Sequence, residues 1–178
     1  GNKIVNVFAM KTIKIDQQAF TADNIAISNG FYAAGLPVKP QVKIVVKGVT
    51  LVEGKDYELN LSANADLVNA TSAKSLSVNI KGKNGYTTAN TNAGIDLKWG
   101  IDKFNLANAD VSVKDGKISV KCGKVDVDAS EYTTTANGDG TTTIKATSTS
   151  KNYTGSKTVK TNGTTDAEKP AAPMISEV

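Results

Sequence analysis

The chain of 178 residues contains no histidine and a single cysteine, Cys122. The lack of histidine removes the commonest general base, the commonest zinc ligand and most nucleophilic triads. One cysteine cannot form an intrachain disulfide or a cysteine-based metal cage. We therefore expect a protein that is not an enzyme, with no catalytic residues, no cofactor and no metal.

Aromatic residues and long apolar runs are scarce as well. Aromatics make up 6% of the chain, and the net charge of +4 comes from lysines that are scattered along it. A nucleic-acid interface needs a basic stripe with stacking aromatics, so we expect no nucleic-acid partner. The sequence has no apolar run of 18 residues, and we therefore expect no membrane insertion.

Nearly every segment with a readable pattern alternates apolar and polar side chains with the period of a β-strand. Clear examples are Val42-Ile44-Val46, Leu76-Val78-Ile80, Ile118-Val120-Cys122 and Thr142-Ile144-Ala146. Turn-forming dipeptides separate such segments: Asn29-Gly30, Asn84-Gly85, Asp115-Gly116, Asn137-Gly138 and Asp139-Gly140. This pattern predicts an all-β fold built from antiparallel sheets, with one short helical turn in each of 16–24 and 106–110.

One set of landmarks occurs twice. Val45, Gly48, Val52 and Asp56-Tyr57 recur 75 positions later as Val120, Gly123, Val127 and Glu131-Tyr132. Lys83-Asn84-Gly85-Tyr86 has a counterpart in Lys151-Asn152-Tyr153, and Ile15-Asp16 has one 86 positions later in Ile101-Asp102. The changing offset indicates that the first copy carries about 11 extra residues near 31–41 and a longer loop near 62–73.

The repeat predicts two tandem small sandwich domains. We place the first at 13–100 and the second, shorter one at 101–162. Residues 1–12 are interpreted as a leading strand or the remnant of a preceding unit, and residues 163–178 as a linker with prolines. The junction near Trp99 leaves almost no linker between the copies, which favours a stiff rod.

Several runs in the first copy carry a family resemblance: 31–40 (Phe-Tyr-Ala-Ala-Gly-Leu-Pro-Val-Lys-Pro), 51–57 (Leu-Val-Glu-Gly-Lys-Asp-Tyr) and 80–86 (Ile-Lys-Gly-Lys-Asn-Gly-Tyr). They resemble the Ig-like β-sandwich repeats of large secreted and cell-wall-attached proteins of Gram-positive gut bacteria. The resemblance covers 13–105 well and 106–160 more loosely, since the second copy lacks the Tyr-Gly-Pro opening.

This resemblance implies an extracellular, secreted or cell-wall-attached module of a long multidomain chain. Modules of this kind most often act as spacers, and some bind polysaccharide or another protein. We therefore expect a non-catalytic spacer pair whose partners are neighbouring domains of the same chain, and a monomer. The alternative is an adhesin-like module that binds carbohydrate or a surface protein through the insertion of the first repeat.

Tyr32 and Trp99 are the candidate ligand-binding residues. Tyr32 lies in the insertion of the first copy, and Trp99, the single tryptophan, either stacks on a sugar or packs at the junction of the copies. The repeated tyrosines at 57, 86, 132 and 153 are interpreted as core or corner residues rather than a sugar platform.

The remaining candidates have weaker patterns. Cys122 is predicted to be a buried, inert thiol. Asp126, Asp128 and Asp139 could bind Ca²⁺ but lack the usual ligand spacing. An internal Lys–Asn cross-link could not be assigned to particular residues, and no carboxylate pair stands out for glycoside hydrolysis.

Overall fold

The computed structural model describes residues 16–88 and 92–161, and the protein is all-β over these ranges, as predicted. The predicted leading segment 1–12 and the linker 163–178 lie outside the described residues. The strands, in chain order, are β1 (Gln18–Phe20), β2 (Ile25–Ser28), β3 (Gly30–Phe31), β4 (Gln41–Val46), β5 (Val49–Thr50), β6 (Tyr57–Asn60), β7 (Leu76–Gly82), β8 (Tyr86–Thr88), β9 (Ile95–Trp99), β10 (Ile101–Asp102), β11 (Phe104–Asn105), β12 (Asp110–Lys114), β13 (Lys117–Cys122), β14 (Val125–Asp126), β15 (Tyr132–Ala136), β16 (Thr141–Ala146), β17 (Tyr153–Thr154) and β18 (Ser156–Lys160).

Three short 3-10 helices interrupt the strands, at Ala22–Asn24, Leu106–Asn108 and Ala129–Glu131. The first two confirm the helical turns predicted in 16–24 and 106–110. Asn105 caps the second helix by accepting a hydrogen bond from the Ala107 backbone at 3.0 Å. Asp128 caps the third in the same way through Ser130 at 2.8 Å.

Strand pairing follows the same scheme twice along the chain. The sheets β2-β4-β5 and β6-β7-β9 have counterparts in β12-β13-β14 and β15-β16-β18. The parallel pair β1-β8 has a counterpart in the parallel pair β11-β17. A further parallel pair joins β3 to β10. The sequence pattern had indicated antiparallel sheets alone, and these short parallel pairs are an addition to it.

The two schemes differ most in two connections. Residues 29–40 join β2 to β4, whereas only 115–116 join β12 to β13. Residues 61–75 join β6 to β7, whereas 137–140 join β15 to β16. The insertions therefore lie where the offsets in the sequence placed them. We call residues 29–40 the first insertion and residues 61–75 the second insertion.

Contacts divide the chain into two compact units that interleave in sequence. Within the described residues, unit 1 comprises 16–26, 42–63 and the described part of 78–97, and unit 2 comprises 27–41, 64–77 and 98–161. Unit 2 thus contains nearly all of both insertions, which the sequence analysis had assigned to the first repeat. The predicted boundaries at 13–100 and 101–162 stay a prediction.

Alternating side chains build the interior of each unit. In unit 1 the fully buried apolar residues on strands include Phe20, Ile44 and Ile80, each 0% exposed. In unit 2 the core cluster consists of Leu106, Ala109, Val120, Cys122, Val127, Ile144 and Tyr153. On β13 the buried Val120 and Cys122 flank the half-buried Lys121, which is the period of two that the sequence predicted.

Two of the predicted turn dipeptides have the backbone expected of them. Asn84-Gly85 and Asp115-Gly116 have positive φ at both residues; the first forms a turn closed by Tyr86 N–H donating to the Lys83 carbonyl, and the second joins β12 and β13 as a two-residue hairpin. The predicted turn at Asn29-Gly30 is wrong, because Gly30 belongs to strand β3 and pairs with Ile101. The physical reason is that Asn29 binds Gly100 and Asp102, which lie far away in the sequence.

Candidate functional site

The first insertion begins at a position where a side chain cannot fit. The Gly30 backbone N–H donates to the Gly100 carbonyl at 3.1 Å. A Cβ on Gly30 would overlap Val38 Cγ1 and lie 2.6 Å from the Lys39 carbonyl oxygen. Glycine at position 30 therefore serves a close approach of the backbone, not a turn.

The side-chain amide of Asn29 holds the beginning of the first insertion through both its nitrogen and its oxygen. Its Nδ2 donates to Asp102 Oδ1 at 2.8 Å, and its Oδ1 accepts from the Gly100 backbone N–H at 2.8 Å. Both partners are more than 70 positions away in the sequence. The local turn preference of Asn-Gly is thus overridden by tertiary hydrogen bonds.

Tyr32, the first candidate ligand-binding residue, packs into unit 2. Its backbone N–H donates to the Asp102 carbonyl at 2.8 Å. Its ring meets the ring of Tyr153 edge to face, with centroids 5.3 Å apart and planes at 78°. Phe104 contacts Tyr153 in a similar way at 6.3 Å. Tyr32 is half-buried against the core cluster, so only part of its ring faces outward.

Tyr153 is the centre of this aromatic group and is 6% exposed. Burial, together with a side-chain hydrogen bond to Tyr32, raises the pKa of the Tyr153 hydroxyl well above its usual value. The Tyr153 hydroxyl therefore stays neutral over the physiological range, and its hydrogen bond with Tyr32 ties the first insertion to the core of unit 2.

The tip of the first insertion leaves two large apolar side chains exposed. A tight turn joins Ala33 to Leu36, with positive φ at Ala34 and Gly35. The Ala34 backbone N–H donates to the sulfur of Cys122, whereas Phe31 and Leu36 are 58% and 65% exposed. Sequence reasoning chose Tyr32 as the contact residue and missed these two. Phe31 was distinguishable in principle, because the neighbours Phe31 and Tyr32 must face opposite ways on a strand.

The second insertion folds around the carboxylate of Asp66. Asp66 Oδ1 accepts from the backbone N–H groups of Val68 at 2.8 Å and Asn69 at 3.1 Å, and Oδ2 accepts from Asn69 Nδ2 at 2.9 Å. These hydrogen bonds, led by the one from the Asn69 side chain, lower the pKa of Asp66 to about 2. Lys151 lies 3.8 Å from the same carboxylate.

Asn152 connects this second insertion to the β11–β17 region of unit 2. Its Oδ1 accepts from the Ala70 backbone N–H at 2.9 Å, and its Nδ2 donates to Asn69 Oδ1 at 3.0 Å. Thr71 continues the attachment through two hydrogen bonds to the backbone of Ile101, at 2.9 and 3.0 Å. These hydrogen bonds attach the second insertion to Asn152 and to the backbone of Ile101.

Trp99, the second candidate ligand-binding residue, is buried. Its side chain is 1% exposed, and within the described residues its Nε1 has no hydrogen-bond partner. In this arrangement the indole is not accessible to a sugar ring. Its burial agrees with the alternative that Trp99 packs inside the protein. The ligand-binding role of Tyr32 and Trp99 stays a prediction.

The repeated tyrosines and the cysteine lie where a structural role would place them. Tyr57 is 3% exposed, and burial followed by the charge of Glu53 raises the pKa of its hydroxyl. Tyr132 and Tyr86 are half-buried. Cys122 is 5% exposed, and burial raises the pKa of its thiol, which confirms the predicted buried position.

The three aspartates considered as Ca²⁺ ligands each interact with a different neighbouring residue. Asp128 accepts from Ser130 and Asp139 from Thr141, and these hydrogen bonds lower the pKa of each carboxyl. Asp126 lies 3.4 Å from Lys121. Among the described residues there is no group of three side chains with ligand atoms placed for a metal ion.

Unit 2 also has two open depressions of about 310 Å³ each. One is lined by Gly116, Ile118, Ala129, Tyr132 and Thr134. The other is lined by Asp110, Val111, Ser112, Lys121 and Lys157. Neither includes Tyr32 or Trp99.

No family model, curated protein or solved structure matches this chain. Over residues 16–88 and 92–161, no helix is long and apolar enough to cross a membrane.

Proposed function

We propose that the chain is a pair of Ig-like sandwich modules that serves as a non-catalytic spacer in a multidomain bacterial surface or secreted protein. The observation that carries this proposal is the path of the backbone. It passes between unit 1 and unit 2 five times, at 26/27, 41/42, 63/64, 77/78 and 97/98. A spacer built this way is tied by five covalent crossings, whereas beads on a string share one.

The polar chemistry of the inserted segments supports a mechanical role. Each of three polar side chains is engaged by at least two hydrogen bonds to other protein groups: Asn29, Asp66 and Asn152. Side chains engaged on all sides hold a segment in place and are poor candidates for exchanging a proton or binding a transient ligand. Extracellular placement on a cell wall belongs to the same proposal and derives from the family resemblance.

Single-molecule energy transfer tests the mechanism. We would attach dyes to Lys43→Cys in unit 1 and Lys124→Cys in unit 2; both lysines are exposed, while the native Cys122 is buried. A stiff spacer predicts one narrow transfer distribution that does not change with added denaturant until the fold melts. A broad distribution in buffer alone would refute the spacer mechanism.

A second candidate function is an adhesin-like module that binds carbohydrate or a surface protein. The exposed side chains of Phe31 and Leu36 favour it, because both lie on the insertion that the second copy lacks. A glycan array decides between the two. We expect no binding above background, and binding that Phe31→Ala abolishes would replace the spacer proposal. Val125→Ala, at another exposed apolar residue, is the matched control.

A further inference from the structure

Strand β15 is an open edge of the sheet β15-β16-β18. It pairs with β16 on one side, and no strand of the described chain pairs with the other side. Asn137 N donates to the Thr141 carbonyl at 3.0 Å, just beyond the end of β15. Hydrogen-bonded pairs alternate along an antiparallel ladder. Counting back from Asn137, Thr135 and Thr133 direct their backbone groups to β16.

The intervening residues Tyr132, Thr134 and Ala136 therefore direct their backbone N–H and C=O groups away from the sheet. At the other end of the strand, Thr147 N donates to the Glu131 carbonyl at 2.9 Å, which fits the same alternation. The open edge thus offers three donors and three acceptors at the spacing of a β-ladder.

This edge lacks the charges that usually block edge pairing. The other edge strands of the three-stranded sheets of unit 2 all carry charged side chains: Asp110 and Lys114 on β12, Asp126 on β14, and Lys157 and Lys160 on β18. The counterpart of β15 in unit 1 is β6, where Glu58 occupies the position of Thr133 and lies 3.7 Å from Lys83. At this position of the repeat scheme, the edge strand is therefore charged in the first copy (β6) and uncharged in the second (β15).

Space for the side chains of an added strand exists beside β15. The depression of about 310 Å³ is lined by Tyr132 and Thr134 of β15 and by Ile118 of β13. In strand addition, main-chain hydrogen bonds give affinity and pockets for alternate side chains give register. A strand placed along β15 would direct every second side chain over this depression.

We propose that β15 pairs with β15 of a second copy of the chain, antiparallel, around a two-fold axis at Thr134. Thr134 then faces Thr134 of the second copy, Tyr132 faces Ala136, and Thr133 faces Thr135. This register forms about six new backbone hydrogen bonds. A second copy suits the edge because an uncharged strand brings no like charge against itself, and because Ala136 is small enough to lie beside Tyr132 over the depression.

This inference goes beyond the spacer function, because neighbouring copies of the chain would then associate with one another through β15. The interface is a single short strand, so the pairing is weak and appears only at high concentration, where the expected monomer gives way to a dimer.

Sedimentation equilibrium over a wide concentration series tests the pairing. We expect a monomer–dimer equilibrium for the unaltered chain. Thr134→Pro removes one outward donor without removing a hydrogen bond to β16, and it should abolish the dimer. Thr134→Val keeps the donor and the shape of the side chain and should retain the dimer. A chain that stays monomeric at every concentration, or a dimer that survives Thr134→Pro, overturns the proposal.

Paired charges test the register without relying on proline. In T133E/T135E, carboxylates oppose each other twice across the two-fold axis, and the dimer dissociation constant should rise at least about tenfold. In T133E/T135K, a carboxylate opposes an ammonium twice, and the dimer should be kept. Circular dichroism checks that both variants fold. Equal dissociation constants for the two folded variants overturn the proposed register.

Discussion

Asn152→Ala is expected to release the second insertion from the β11–β17 region of unit 2. The substitution deletes one hydrogen bond from the Ala70 N–H, 2.9 Å, and one to Asn69 Oδ1, 3.0 Å. Ala70 is 8% exposed, so its N–H is left without a partner in a site with little water. Two net hydrogen bonds at about 1 kcal/mol each, plus part of the desolvation cost, give a loss of about 2–3 kcal/mol. For a chain of this size the melting temperature should fall by about 5–10 °C.

Urea unfolding and amide hydrogen exchange measure this effect. The Ala70 amide should exchange much faster in Asn152→Ala, while amides of β7 keep their protection. Asn152→Asp is the comparison variant, because it keeps the acceptor for Ala70 while a carboxylate oxygen replaces the donor to Asn69. We expect the Ala70 amide to keep its protection from exchange in this variant. A double-mutant cycle with Asn69→Ala should show a coupling of about 1 kcal/mol.

Two results would refute this account of Asn152. One is an Asn152→Ala variant within about 0.5 kcal/mol of the unaltered chain, which is the range of ordinary surface substitutions. The other is strict additivity with Asn69→Ala. Either result would mean that the second insertion is held by its own turn around Asp66 and not by Asn152.

Three further predictions concern single positions. Gly30→Ala should lower the free energy of unfolding by about 2 kcal/mol or more through overpacking, whereas Gly35→Ala, with positive φ but open space, should cost about 1 kcal/mol; urea unfolding compares them. The pKa of Asp66 is lowered to about 2, so its stabilising effect is complete above the usual carboxyl pKa near 4 and is lost as the pH falls towards 2; Asp66→Asn should flatten this part of a melting-temperature profile. The raised pKa of Tyr153 means that its neutral form stabilises the fold below about pH 10 and that this effect is lost at higher pH; in an ultraviolet titration, Tyr153→Phe should remove a tyrosine that ionises well above the ordinary tyrosine pKa.

The sequence predicted the features that depend on local period. Ile44 and Ile144 were assigned to inward faces from alternation alone, and both are 0% exposed. Alternation works here because successive side chains on a strand must point to opposite faces whatever the rest of the chain does. The two short helical turns and the positions of the two insertions were predicted for the same reason, since spacing along the chain is enough to locate them.

The sequence could not predict features that depend on distant partners. Asn29-Gly30 has a strong turn preference, yet Asn29 binds Gly100 and Asp102 and draws Gly30 into a strand. Tyr32 looked like an outward contact residue because its partner, Tyr153, lies 121 positions later, and no local pattern connects the two rings. In each case a hydrogen bond or ring contact of long range outweighs a local preference.

The landmark 83–86 and its counterpart 151–153 show that a sequence repeat predicts the shared framework but not what an individual side chain binds. In the first copy, Asn84 Nδ2 donates to the Lys55 carbonyl at 2.7 Å, within its own unit. In the second copy, Asn152 instead binds Asn69 and Ala70 of the second insertion. Asn84 lies two residues before β8 and Asn152 lies one residue before β17, and the two side chains bind different partners. The role of Asn152 is therefore determined by the second insertion, which has no counterpart in the second copy. Comparison of the two copies could not predict that role.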